Sequence, residues 1–171
     1  MMRPKVHRLL ADLRDDRRGV SIIEMTVMLP VLVSLAFGVA EFGRALQHHH
    51  LMNKAMRDAA RYLTRVPVDC PSGAATGSVT DGADITKAKN LALYAADTVE
   101  TPRVSYWTNP ASISVQVDCF DNTAGTYRGQ PGMPLITVAA SVPYQDVGFL
   151  AVLGLPAMTF NPSHQQLHIG E

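Results

Sequence analysis

Few residues in this 171-residue chain stand where their type and spacing could do chemistry. Glu24 is the single charged residue in VSIIEMTVMLPVLVSLAFGVA, residues 20–40, of which 15 of 21 are apolar. In a bilayer a carboxylate is disfavoured by up to about 3 kcal/mol at the centre, so Glu24 either serves a function or snorkels to the interface beside Arg17 and Arg18. Gly19 stands directly before the apolar run and five positions ahead of Glu24. Cys70 and Cys119 are the only 2 cysteines. Bonded, they close a loop of about 50 residues, worth roughly 4 kcal/mol in chain entropy; the alternative is two buried thiols. His48, His49 and His50 carry metal-binding nitrogens, but successive helical residues point 100° apart and cannot converge on one ion. They read as a solvated surface. His164 and His168 are four apart, too far along a strand to share an ion. Tyr106 and Trp107 read as core or rim.

No nucleophile elbow, HExxH, phosphate-cradling loop or CxxC occurs, and no carboxylate pair is spaced as a catalytic dyad. The chain therefore reads as no enzyme, with no cofactor and no metal. Fifteen basic and 15 acidic residues cancel, leaving no electrostatic footprint for nucleic acid. The total hides an asymmetry. Residues 1–19 hold six basic and three acidic side chains, and the rest of the chain nine and twelve. An apolar share of 47% excludes disorder throughout. A charged share of 18% is low for a soluble domain and hints that part of the chain avoids water.

The elements that position these residues follow from periodicity. Residues 20–40 as a helix rise about 31 Å, the thickness of bilayer hydrocarbon. A buried core helix is the alternative, but no other segment could cover so apolar a surface. Arg17 and Arg18 at its N-terminal end predict a cytoplasmic leader, 1–19, and an outer portion, 41–171, where a disulfide persists. Residues 41–65 continue as an amphipathic helix. Phe42, Leu46, His49, Met52, Met56, Ala59 and Leu63 share one arc, with Glu41 as the misfit at its edge. Pro30 is expected to bend the helix within the membrane. Residues 66–83 read as loop. Asp84 reads as the cap of a second helix running to about Val99. Ile113–Cys119 alternates as a strand, Leu135–Tyr144 is a second, and Met158–Ile169, interrupted by Pro162, is a third. Residues 121–134 join the first two. Val147–Leu155 is too short to span a membrane and reads as a helical turn or a cap over the sheet. The fold class is α+β: a long transmembrane and amphipathic helix, then a head, 66–171, of one further helix and a three-stranded antiparallel sheet.

Arg18-Gly19, Glu24, Leu29-Pro30, Glu41-Phe42-Gly43-Arg44 and Ala59-Ala60-Arg61-Tyr62 together resemble the TadE/TadG-like minor pilins, or pseudopilins, of the tight-adherence (Flp-type) pilus system. The resemblance covers about 45 residues and implies a pilin-like fold. It also implies that a prepilin peptidase cuts between Gly19 and Val20 on the cytoplasmic face. Glu24, fifth in the mature chain, would then pair with the new terminal amine of a neighbouring subunit. Two charges in hydrocarbon are tolerable only together. The implied partners are other pilins and pseudopilins, the inner-membrane assembly platform and the lipid bilayer. The implied place is the bacterial inner membrane, single-pass, or the pilus itself.

The favoured function is thus assembly or initiation of the pilus by helix packing, with Ala36, Gly38 and Ala40 as small contact surfaces. A different class also fits: a signal-anchored or secreted binding protein or hydrolase, unrelated to pili, cut near Ala36-Phe37-Gly38. Against it, Glu24 interrupts the apolar region and the amphipathic pattern continues past that site.

Overall fold

The computed structural model describes residues 18–122, 124, 125, 132–152 and 154–168. The leader expected over 1–19 lies outside them as far as residue 17, as does half of the segment expected to join the first two strands. The chain divides into two compact units, Met1–Phe42 and Gly43–Glu171.

Helix α1 runs Arg18–Leu63, 46 residues, with Pro30 inside it. Its apolar content and the absence of glycine or proline in the segment 44–63 sustain it. Pro67, just past the last turn, cannot continue it. Between residues 21 and 40 every residue but the half-buried Gly38 is exposed, Phe37 at 61% among them. The exposed run matches a surface meant for a surrounding other than this chain.

The head is built on the far half of α1. Met52, Ala55, Met56, Ala59, Ala60 and Leu63 are wholly buried there, with Ala88, Ala92, Leu93, Trp107, Ile136 and Val138. Alanines at 55, 59 and 60 let other elements approach the helix closely. The expected apolar arc holds from Met52 onward and fails before it. Phe42 and Leu46 are exposed, whereas Glu41 and Ala45 are buried. The buried stripe thus sits one residue back from the one hydropathy selects, because the small Ala45, not the bulky Phe42 and Leu46, lies on the packed side.

Strands β1 (Val68–Asp69) and β2 (Thr76–Val79) follow. Helix α2 spans Gly82–Tyr94. A 3-10 turn, Pro110–Ser112, leads into β3 (Ile113–Asp121), which pairs with β4 (Gly132–Ala140). Then come β5 (Val142–Pro143), the single helical turn α3 (Phe149–Val152), β6 (Thr159–Phe160) and β7 (Ser163–Leu167). The main sheet is five-stranded, in the order β1-β2-β3-β4-β7, and β5-β6 form a separate two-stranded ribbon. All pairs are antiparallel. The α+β class holds.

Three expectations need correction. The sheet has more than three strands, because the stretch expected to be loop, 66–83, contains β1 and β2. These are two and four residues long and too polar to alternate visibly. The third expected strand divides at Pro162 into β6 and β7, since proline supplies no ladder hydrogen. Asp81, not Asp84, caps α2: its side chain accepts from the Ala83 amide at 2.8 Å. The helix stops at Tyr94, where Ala95 adopts φ 62° and its amide donates to the Leu91 carbonyl.

Candidate functional site

Gly19 and Val20 lie in the first turn of α1, so the bond between them is helical. A protease acting there must unwind that turn, whose first amides have no intrahelical partners. Positions 20 and 24 are one helical turn apart and share a face. Glu24 is exposed and makes no hydrogen bond or ion pair with any described residue. Its flanks are apolar and outward: Ile23 is 66% and Met25 58% exposed. Thr26, by contrast, satisfies itself, its hydroxyl donating to the Ile22 carbonyl at 2.7 Å. That back-bonding is how a hydroxyl is accommodated in an apolar helix. Glu24 has no equivalent local solution. Among the described residues one helix is long and apolar enough to cross a membrane, and none of its apolar window is buried by the chain.

The second sequence site lies in the head. Cys70 and Cys119 are bonded, with Cα atoms 5.9 Å apart and a sequence separation of 49. The bridge ties the β1–β2 connection to β3. Two glycines make room for it. A Cβ on Gly77 would stand 2.8 Å from Cys119 Sγ and would collide with the Asp69 carbonyl oxygen; one on Gly132 would stand 3.2 Å from Cys70 Sγ.

No metal-competent cluster of His, Cys, Asp or Glu occurs among the described residues. The reading of 48–50 as solvated surface holds only for His50. His48 and His49 are half-buried in a ring cluster with Tyr106, Tyr144 and Phe160. His48 Nδ1 lies 3.2 Å from the Tyr106 hydroxyl. This cluster was not legible as such, because its members come from α1, β6 and two irregular segments. His164 is paired opposite Val138 in the sheet, while His168 Nε2 lies 2.9 Å from the Val66 carbonyl oxygen. Trp107 is core, its indole donating to Ser112 Oγ at 2.9 Å.

Among the polar links between α1 and the rest of the head, two were not legible in the sequence. Arg103 donates to Asp58 Oδ2 at 2.7 Å and to the Leu91 carbonyl. Tyr62 donates to Asp84 Oδ1 at 2.7 Å. Burial, the bond to Asp84, and the charges of Asp84, Asp81 and Asp97 push the Tyr62 phenol up to about 12. No arrangement of nucleophile, base and oxyanion donors emerges among the described residues.

These features define a class: an α+β head carried on a helix that can serve as a single-pass membrane anchor. A family model described as TadE-like protein matches residues 19–61, from the glycine of the expected cut through the helix exit to Arg61. Over α1, then, the chain is similar to TadE-like proteins. No curated protein and no solved structure matches it.

Proposed function

We propose that the chain is a minor pilin or pseudopilin of a tight-adherence type IV pilus, acting in its assembly or initiation. The observation that carries this reading is coincidence. The TadE-like match begins at Gly19 and covers the helix that carries both Glu24, which pairs with no described residue, and an exposed apolar run before the head. The helix spans the bacterial inner membrane once, with residues 1–19 in the cytoplasm and the head outside. There the Cys70–Cys119 bond persists in an oxidising compartment.

A prepilin peptidase cuts between Gly19 and Val20. The new amine is then a positive charge at a helix N-terminus, where the macrodipole already points its positive end. Glu24 of a neighbouring subunit offsets that charge, and each group makes the other tolerable in hydrocarbon. Other pilins, the prepilin peptidase, the assembly platform and the bilayer are its partners. Mass spectrometry of the mature N-terminus tests the reading. Val20 as first residue supports it. Val39 supports secretion after signal-peptidase cleavage, and an intact Met1 or Met2 supports a plain anchor; either would overturn it.

A further inference from the structure

The half of α1 inside the head has one face committed inward and one face that is cationic. Lys54, Arg57 and Arg61 are exposed, and Arg65 follows in the turn after the helix. The spacing of three and four puts the first three on one helical face. No hydrogen bond or ion pair joins any of the four to a described residue, the described salt bridges being Lys87–Asp84 and Arg103–Asp58.

The local remedy for such a stripe is a carboxylate three or four positions away. Asp58 is that carboxylate, four from Lys54 and three from Arg61. It is instead turned to Arg103, at 2.7 Å. Like charges three and four apart on a helix repel, so the stripe works against the isolated helix. Rotation cannot relieve it, because Met52, Met56, Ala59 and Leu63 on the other side are wholly buried.

From this uncompensated face we infer that Lys54, Arg57 and Arg61 dock an acidic helix face of a different subunit, and that they oppose pairing of two copies of this chain through α1. The inference rests on the assembly reading above, in which the neighbours of α1 are themselves helices. A second copy brought against this face sets cations against cations, which acts as specificity against self-pairing. A helix with carboxylates at matching three- and four-residue spacing satisfies all three cations over about 10 Å of rise. An anionic lipid surface is the other source of negative charge. Its potential belongs chiefly to the cytoplasmic leaflet, opposite to where the proposed topology puts these residues.

The test uses the full-length chain in cells that carry the whole pilus system. A photo-crosslinking amino acid replaces His50, which is exposed on the same side of α1. The expected product joins this chain to a different subunit through a peptide with carboxylates at three- or four-residue spacing. Lys54→Glu, Arg57→Glu and Arg61→Glu together lower its yield on the order of tenfold. Changing the captured carboxylates to lysine restores it. An intact Cys70–Cys119 bond and an unchanged melting curve show that the variant is folded; if it unfolds, the glutamine triple variant replaces it. A product with a second copy, a product with lipid, no product, or a yield indifferent to the reversals overturns the inference. In those cases normal Val20 N-termini and co-purifying pilus components leave the assembly reading standing. Their absence in the wild type removes both.

Discussion

At the scale of single residues, Glu24 and Tyr62 show how the same physics serves two ends. Glu24 has no partner among the described residues, and an unpartnered carboxylate hinders insertion more than alanine does. Glu24→Ala should therefore reach the membrane at least as well as wild type while filament counts and co-purification of pilus components fall. Undiminished filaments would show that Glu24 merely snorkels. Tyr62, 22 positions beyond Ala40 and outside the span, has its partner at 2.7 Å in Asp84. Its phenol is raised from the ordinary 10.0 to about 12, so the fold favours the protonated form. That contribution is complete below pH 10 and is lost as pH climbs through 12. Asp84→Asn removes a charge that raises the value, so the variant's Tyr62 should ionise at lower pH. Ultraviolet titration against a Tyr62→Phe blank, which isolates this phenol from the other 4 tyrosines, measures the change.

At the scale of elements, the disulfide and its glycines decide whether the short strands can exist. β2 lies between β1 and β3, and a side chain at Gly77 would meet atoms on both sides, Asp69 of β1 and Cys119 and Val117 of β3. Gly77→Ala pushes a methyl against the Asp69 carbonyl and to 2.8 Å from Cys119 Sγ. The obstacle is backbone, which cannot swing away, so the head should lose about 1–3 kcal/mol, as in overpacked cores. A melting curve indistinguishable from wild type would contradict this packing. The same strands explain what the sequence could and could not tell. β3 was legible because Ile113, Val115, Val117 and Cys119 alternate with polar neighbours over seven of its nine residues. β1 and β2 were not, since six residues held by register to a neighbour have no period of their own. The outer half of α1 was legible as a helix, and in its facing from Met52 onward but not at its start. Hydropathy favours Phe42 and Leu46, while packing selects the small Ala45 and takes the charged Glu41 with it. In the sequence Glu24 stands out because a lone carboxylate contrasts with its apolar surroundings, and Gly19 by its spacing from it. The Arg103–Asp58 and Tyr62–Asp84 contacts join residues 45 and 22 apart, which no local pattern reveals.

At the scale of the whole molecule, one helix belongs to two solvents. Its first part is apolar with its surface outward, and its last part supplies the largest share of the head's buried residues from any single helix. The head's stability should therefore depend on α1 from about Ala45 onward and not on the apolar span. Met→Ala in a core costs about 2–5 kcal/mol at each site. Met52 and Met56 are both 0% exposed, so losing both approaches the 5–15 kcal/mol that holds a typical domain together. A chain beginning at Gly43 and exported to an oxidising compartment should fold, form the Cys70–Cys119 bond and melt cooperatively. One beginning at Arg57 lacks Met52, Ala55 and Met56, three wholly buried members of the core that also holds Ala88, Ala92, Leu93 and Trp107. It should stay unfolded even with the cysteines oxidised, because roughly 4 kcal/mol of loop entropy cannot replace that core. Limited proteolysis and near-ultraviolet circular dichroism distinguish the two chains. A cooperative, protease-resistant head from the shorter chain would show that α1 is only a tether, and that the head has a core of its own.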